Sequence, residues 1–405
     1  MFNSKKNVLK SMLLIILSIT LLFSFTGCQG AASNPQTDGK GTGQVDTNKP
    51  SSGEAGGEIT IGVCTALTGA APLNGERTKQ GVTLAVEEIN KAGGILGKQI
   101  KLAFEDDQAT PNGAVNAVNK LMSLDITAQI GPHLSGNVMA VQAIVQKNQK
   151  PMLSGGTSPS LLNAKNPWFF RIRASDAIVG KLAAKYLVEN LKAKKVGIIF
   201  DNDAYGTGAK DVAVAYLESV NIPVFAEGFN SGDKDMTGQL IKMKNNGVDA
   251  LIIWAHDAEA AISAKQVKQL NLNIPVMGNP GFATSSVLDL MDADISDGIY
   301  TITDFIPTNP DEQTQKFVNA FKAKYNIAPE LYAAAYYNAT YVLADAIKRA
   351  NSTEPEKIRQ ALLATKDFKS TIGTLTSSEQ GEMVHEAIIA QVKDKKASMI
   401  SVVKE

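Results

Sequence analysis

Ile61 to Asn90 reads IGVCTALTGAAPLNGERTKQGVTLAVEEIN, and a second stretch, Val196 to Ser219, reads VGIIFDNDAYGTGAKDVAVAYLES. Each starts with an apolar, β-rich run, passes through a polar loop holding glycines, and ends in a segment of helical period. In the first, Val82, Ala85, Val86 and Ile89 fall at i, i+3, i+4 and i+7, which makes one buried stripe on a helix from about Arg77 to Lys91. The same plan recurs along the chain. The apolar runs ITIGV, KLAF, AQIG and PML form one batch, and VGIIF, PVFAE, ALIIWA, PVMG and GIYTIT form another, with helical segments between them. Thr110-Pro111 supplies a cap and a first position for one of these helices. Strand alternating with helix predicts a parallel sheet covered on both faces, and two batches predict an α/β chain of two doubly wound lobes.

FFRIRASD (Phe169 to Asp176) and TITDFIPTNPDEQ (Thr301 to Gln313) read as extended crossings between the lobes. Helices follow over Thr314 to Tyr325, Leu331 to Ala350 and about Glu354 to Ala364, and the β-like runs EAIIAQV and SMISVV close the chain. A path from lobe one to lobe two, back to one and ending in two makes a hinge of three crossings. The expected boundaries are 58–175 with 304–381 for lobe one and 176–303 with 382–405 for lobe two.

The residues before 58 are of another kind. Lys5, Lys6 and Lys10 precede the apolar run from Met12 to Phe25, which is an export signal rather than a membrane span. Its end, FTGCQG, resembles the bacterial lipobox, although Phe25 stands where leucine is usual. The expectation is a signal over 1–27, a diacylglyceryl anchor on Cys28, and a tether over 28–57. Gly, Ser, Asn, Thr and Pro dominate that tether, so it cannot bury a core, and its r.m.s. span is on the order of 30 Å.

Composition narrows the function. Among 405 residues the Lys+Arg and Asp+Glu counts are equal at 40 each, and no basic face is available to neutralise phosphates, so nucleic acid is not the partner. His133, His256 and His385 stand far apart, with no HExxH or CxxC spacing, and no metal or other cofactor is expected. DNDAYG (Asp201 to Gly206) imitates the start of a calcium loop, but Val212 occupies the position that requires Glu. Neither a dinucleotide fingerprint, a P-loop nor a G-x-S-x-G elbow occurs, so no enzyme is indicated. Cys64, inside an apolar run, is expected to pack as a small core hydrophobe. Asp106 and Asp107 are expected to make structural hydrogen bonds, since neighbours in a strand point to opposite sides. Trp254 is either core or cleft wall.

In open parallel sheets ligands lie beyond the carboxyl ends of the strands. The segments there are CTALTGAAPLNG, PHLSGN and SGGTSPS in the first batch, and DNDAYGTG, HDAEA and NPGFATS in the second. SGGTSPS is expected to be a strand-to-helix turn whose glycines let backbone approach a ligand and whose Thr157, Ser158 and Ser160 cap a helix. With LSGN it would aim two helix N-termini at one carboxylate.

EITIGVCTALTGAAPLNGERTKQGVTLAVEEINKAGGILGKQIKLAFEDD, AQIGPHLSGN, KPMLSGGTSPSL and DNDAYGTG together resemble the branched-chain amino-acid-binding proteins of ABC importers, which are type I periplasmic binding proteins. The likeness spans nearly all of Glu58 to Glu405. It implies a monomeric extracytoplasmic protein that binds a small carboxylated solute, foremost a branched-chain amino acid, and delivers it to permease subunits. It further implies a ligand carboxylate on Ser135 and on the turn of Gly155, Gly156 and Thr157. Tyr205 would close over the ligand, Tyr332 would touch it, and Asn74 would face its side chain. His256 and Asn279 are also expected ligand contacts, and two departures stand out: Pro280, after Asn279, occupies the place of the family's ammonium-binding Glu, and His256 replaces a tyrosine. Asp203, Asp257 or Asp304 could take over the ammonium; otherwise the ligand lacks an amine and is another carboxylate, an aromatic acid or an amide. A ligand-sensing receptor of the same fold is the other reading.

Overall fold

A computed structural model describes residues 57–384 and 386–404. The anchor expected at Cys28, the tether and His385 lie outside them.

The first sheet takes β1 (Glu58–Thr65), β2 (Gln99–Asp106), β3 (Ala128–Ile130), β4 (Met152–Ser154) and β5 (Phe169–Arg171), all parallel, in the order β2-β1-β3-β4-β5. Its helices are α1 (Pro72–Lys91), α2 (Pro111–Met122) and α3 (Ser135–Asn148). The second sheet begins after α4 (Asp176–Glu189). It takes β6 (Val196–Asp201), β7 (Val224–Phe229), β8 (Ala250–Trp254), β9 (Val276–Gly278) and β10 (Tyr300–Thr303), with α5 (Ala204–Ser219), α6 (Thr237–Asn245), α7 (Asp257–Gln269) and the short α8 (Ser285–Leu288) and α9 (Ala293–Ser296) between strands. These five strands are parallel in the order β7-β6-β8-β9-β10, so the internal echo of the sequence is an echo of topology. Both sheets grow outward from their first strand and then reverse. The reversal between β1 and β3, and between β6 and β8, leaves a crevice at the carboxyl ends.

After β10 the chain forms α10 (Glu312–Tyr325), α11 (Leu331–Ala350), α12 (Pro355–Leu363) and a small hairpin, β11 (Phe368–Ser370) with β12 (Gly373–Leu375). Helix α11 lies on α1 so closely that a Cβ on Gly81 would stand 2.1 Å from the Ala333 carbonyl oxygen. Glycine at 81 is a packing requirement. β13 (Glu386–Lys393) then joins β10 antiparallel, and β14 (Lys396–Lys404) pairs with β13 to complete the second sheet. Cys64 is fully buried among Ala114, Val118 and Leu121, as expected of a small hydrophobe.

The crossings are fastened to one another. Arg171 N donates to the Gly381 carbonyl at 2.8 Å, and Met383 N donates to the Arg171 carbonyl at 3.1 Å, so the segments around 171 and 382 run side by side. The Arg173 guanidinium meets Asp304 with two bonds, Nε to Oδ2 at 2.8 Å and Nη2 to Oδ1 at 3.0 Å, both residues being buried. A buried bidentate pair ties the first crossing to the second.

Candidate functional site

Five of the six loops that the sequence places beyond strand ends contribute side chains to the buried polar groups described here. From the first lobe, β3 leads through His133 into α3. The residue capping α3 is Leu134, whose side chain cannot accept, and Ser135 follows at its first position. Its first-turn N–H groups therefore carry no side-chain cap, and a helix start left this way attracts an anion. Ser135 Oγ accepts from Ser158 N at 3.2 Å and keeps its own proton to donate.

The turn after β4 differs from the sequence expectation. It leads into a 3-10 helix, Pro159–Ala164, which Lys165 ends in a left-handed conformation at φ 48°. Such a short, tight helix carries little dipole, so of the two helix starts expected at LSGN and SGGTSPS only α3 supplies a full helix N-terminus. The glycines serve packing. A Cβ on Gly155 would stand 2.8 Å from the Tyr336 hydroxyl, and one on Gly156 would stand 2.8 Å from Val138 Cγ2. Their N–H groups are also taken, Gly155 by Tyr336 Oη at 3.1 Å and Gly156 by Ser154 Oγ at 3.2 Å. Thr157 Oγ1 donates to Asp176 Oδ2 at 2.8 Å, so its lone pairs remain to accept. Arg171 holds the turn from below, with Nη1 on the Thr157 carbonyl at 2.8 Å and Nη2 on the Ser158 carbonyl at 2.9 Å.

Asp176 opens α4 and is 1% exposed; its Oδ1 has no hydrogen-bond partner among the described residues. Burial pushes its pKa up to about 7, against the pull of Thr157, Arg171 and Arg173. Sequence reading passes over this residue, because within RASD it looks like an ordinary helix start after a crossing.

The second lobe supplies Tyr205, Trp254, His256 and Asp257. Tyr205 sits in the first turn of α5, its ring 5.3 Å from that of His256 and 6.1 Å from that of Trp254. Asp203 caps α5 through Oδ1, accepting from Tyr205 N and Gly206 N at 2.9 Å each, and its Oδ2 lies 2.9 Å from His256 Nε2. Burial opposes a charge on His256, but the Asp203 hydrogen bond and charge outweigh it and raise its pKa to about 9. Burial likewise works against the Asp203 charge, yet His256 and the two N–H groups hold it below the usual carboxylate range. The two form an ion pair, so Asp203 is already neutralised.

Asp257 faces the other lobe, where Asn74 Nδ2 donates to its Oδ2 at 2.8 Å. Burial raises its pKa against the bonds from Asn74 and Ser286. Asp304 is spent on Arg173. Asn279 is 2% exposed and bonded within its own lobe: Oδ1 accepts from Gly281 N at 3.0 Å, Nδ2 donates to the Ala255 carbonyl, and its carbonyl accepts from Thr301 Oγ1 at 2.7 Å. These bonds stabilise the turn after β9 and leave one amide hydrogen and one oxygen lone pair.

Tyr332, at the start of α11, closes the ring of residues. Its aromatic ring lies 5.5 Å from the Arg173 guanidinium and 5.0 Å, edge to face, from His133. His133 is 4% exposed, and neither nitrogen has a hydrogen-bond partner among the described residues. Burial, then the charges of Arg173 and His256, push its pKa down to about 3, so the imidazole is neutral. Trp254 is 1% exposed and belongs to the core, with its Nε1 unpartnered among the described residues and its ring beside that of Tyr205. A cavity of about 670 Å³ around Leu161, Leu162, Phe169 and Arg359 lies elsewhere and shares none of these groups. Asp106 and Asp107 act locally, Asp106 accepting from Leu67 N and Gln108 N at 2.9 and 2.8 Å and Asp107 from Ala109 N at 2.8 Å.

Two lobes, a three-stranded hinge and a buried polar cluster between loop ends define a solute-binding protein. Residues 58–397 match the model of the family described as periplasmic binding protein, and the chain belongs to that family. It is 31% identical over 329 residues to Leu/Ile/Val-binding protein homolog 3 of Brucella melitensis, covering 80% of this chain and 89% of the relative. The branched-chain amino acid transporter substrate binding protein LivJ of Streptococcus pneumoniae, solved in complex with isoleucine, matches at 29% identity with a TM-score of 0.80, covering 86% of this chain and 100% of that one. The leucine binding protein LivK of Thermotoga maritima shares the fold, with a TM-score of 0.81 at 24% identity over 85% of this chain and 99% of the other. The expected resemblance and the two-lobe type I fold therefore hold, and the chain is an extracytoplasmic binding protein rather than an enzyme.

Proposed function

We propose that this protein is the lipid-anchored, monomeric solute-binding subunit of an ABC importer and closes around an L-amino acid. The observation that carries the reading is the Thr157-Ser158 pair. Thr157 bonds Asp176, a carboxyl group whose Oδ1 has no partner among the described residues, while Ser158 bonds Ser135 at the uncapped start of α3. An α-amino acid carries ammonium and carboxylate on one carbon, and here their partners hang from consecutive residues. Ser135 Oγ and the α3 N–H groups take the carboxylate; Asp176 and the Thr157 hydroxyl oxygen take the ammonium. Asp176 thereby fills the part of the family's missing Glu, a role for which Asp203 and Asp304 are already neutralised.

Tyr205 and Tyr332 cover the ligand, and the Asn74–Asp257 bond latches the two lobes at its edge. Sheet membership supports lobe boundaries of 58–175 with 304–381 and 176–303 with 382–405. The permease would then read the closed form, with Cys28 holding the protein to the membrane. A thermal-shift panel of the twenty L-amino acids, each paired with its α-hydroxy acid analogue, tests the assignment. Amino acids are expected to raise the melting temperature and hydroxy acids to fail; equal shifts from both members of a pair would refute the ammonium site. Cys28→Ser is expected to move the protein from the membrane to the soluble fraction, and an unchanged distribution would refute the anchor.

A further inference from the structure

The Leu/Ile/Val-binding names of the relatives raise the question of what lies beyond the ammonium and carboxylate. An aliphatic side chain calls for an apolar wall. Trp254 and His256 instead flank Tyr205, at ring distances of 6.1 and 5.3 Å, and His133 flanks Tyr332 at 5.0 Å, while Asn74 bonds Asp257 across the lobes. Trp254 Nε1 and both His133 nitrogens are buried and lack partners among the described residues, although their residues are only 1% and 4% exposed. Asn74 and Asp257 are bonded to one another at 2.8 Å, and His256 to Asp203 at 2.9 Å. A buried donor without an acceptor is costly, and native structures rarely leave one unanswered.

We propose that the ligand's side chain ends in a carbonyl-bearing polar group, a carboxamide, in place of the branched aliphatic group of the relatives. The inference rests on the amino-acid reading above. A carbonyl oxygen would accept from Trp254 Nε1, which can only donate. The neutral His133 imidazole offers one donor and one acceptor, and a carboxamide answers both with its oxygen and its NH2. A second carboxylate fits less well. Asp201, Asp203 and Asp257 lie around the cation His256, and the Arg173 cation beside Tyr332 is already paired with Asp304, so a further negative charge would add repulsion, whereas a neutral amide adds none. Leucine, isoleucine or valine would leave the Trp254 N–H and His133 desolvated and unanswered. Sites built to bond a polar group reject the analogue lacking it by orders of magnitude, far more than an apolar pocket rejects a missing methylene.

The test is calorimetric titration of the full chain with L-glutamine, L-asparagine, L-glutamate, L-leucine, L-isoleucine and L-valine. Glutamine or asparagine is expected to bind at least 100-fold more tightly than leucine. Trp254→Phe is expected to weaken the amide at least tenfold and leave leucine unchanged, and His133→Phe serves as the second variant should the first unfold. Leucine, isoleucine or valine binding best would overturn the polar side chain while upholding the amino-acid reading. Glutamate binding best would overturn the choice of carboxamide. Silence from all six, together with no shift across the wider amino-acid panel, would remove the amino-acid reading and this inference with it.

Discussion

Replacing Asp176 by Asn separates binding from stability in opposite directions. In the free protein burial lifts the Asp176 pKa from an ordinary 3.8 to about 7. A raised acid means that between about pH 4 and pH 7 the folded state holds a proton that the unfolded chain has lost. Stability therefore falls as pH rises through that window. At 1.36 kcal/mol per unit, a shift of about three units makes the ionised group cost about 4 kcal/mol at pH 8, and less than about 1 kcal/mol at pH 4. Asn at this position preserves an oxygen for the Thr157 hydroxyl and carries no charge. Unfolding entropy near 2 cal/mol/K per residue over roughly 350 folded residues turns that difference into a rise of about 5 °C at pH 8 and almost none at pH 4.

Binding moves the other way. Taking away one member of a buried charge pair costs about 2–5 kcal/mol, a loss of roughly 30-fold to several thousand-fold in affinity. In the wild type an ammonium binds the ionised form, whose share climbs from about 0.1 at pH 6 to about 0.9 at pH 8, so affinity should rise about tenfold across that interval. The variant should show no such dependence. Scanning calorimetry of the free proteins at pH 4 and 8, with titration calorimetry of the tightest amino acid at pH 6, 7 and 8, reads both effects. An Asp176→Asn variant that binds within threefold of the wild type at pH 8 would refute the ammonium assignment, and one that melts with it there would refute the raised pKa of the buried acid.

Asp304→Asn leaves the buried Arg173 guanidinium without its charge partner and should cost about 3–5 kcal/mol in denaturant unfolding, most of which the double change Arg173→Met with Asp304→Leu should restore. Asp203→Asn should lower the melting temperature near pH 6. It should also flatten the pH profile: the stabilisation from His256, fully present below about pH 6.5, is lost as pH climbs through about 9 in the wild type alone. Gly81→Ala drives a methyl toward the Ala333 carbonyl at 2.1 Å, against backbone that cannot swing aside; a loss of about 1–3 kcal/mol or more is expected, and unchanged stability would show that α1 and α11 can part freely.

The order of strands and helices, the repeated plan of the two sheets and the loops at their carboxyl ends are written in local patterns. Apolar period, Gly and Pro punctuation and helix caps act over a few residues, so Ile61 to Asn90 announces its strand, loop and helix without help from elsewhere. Ser135, Tyr205 and His256 are legible as candidates for the same reason, each standing two to five residues past a strand end. Tertiary structure alone decided which groups remain free. Asp304 is consumed by Arg173 at a separation of 131 residues, Asp257 is met by Asn74 at 183, and Gly155 is closed off by Tyr336 at 181. Asp176, His133 and Trp254 are among the described residues that keep a buried polar atom without a hydrogen-bond partner. Partnership and desolvation depend on neighbours brought together by folding, and no spacing along a chain records them.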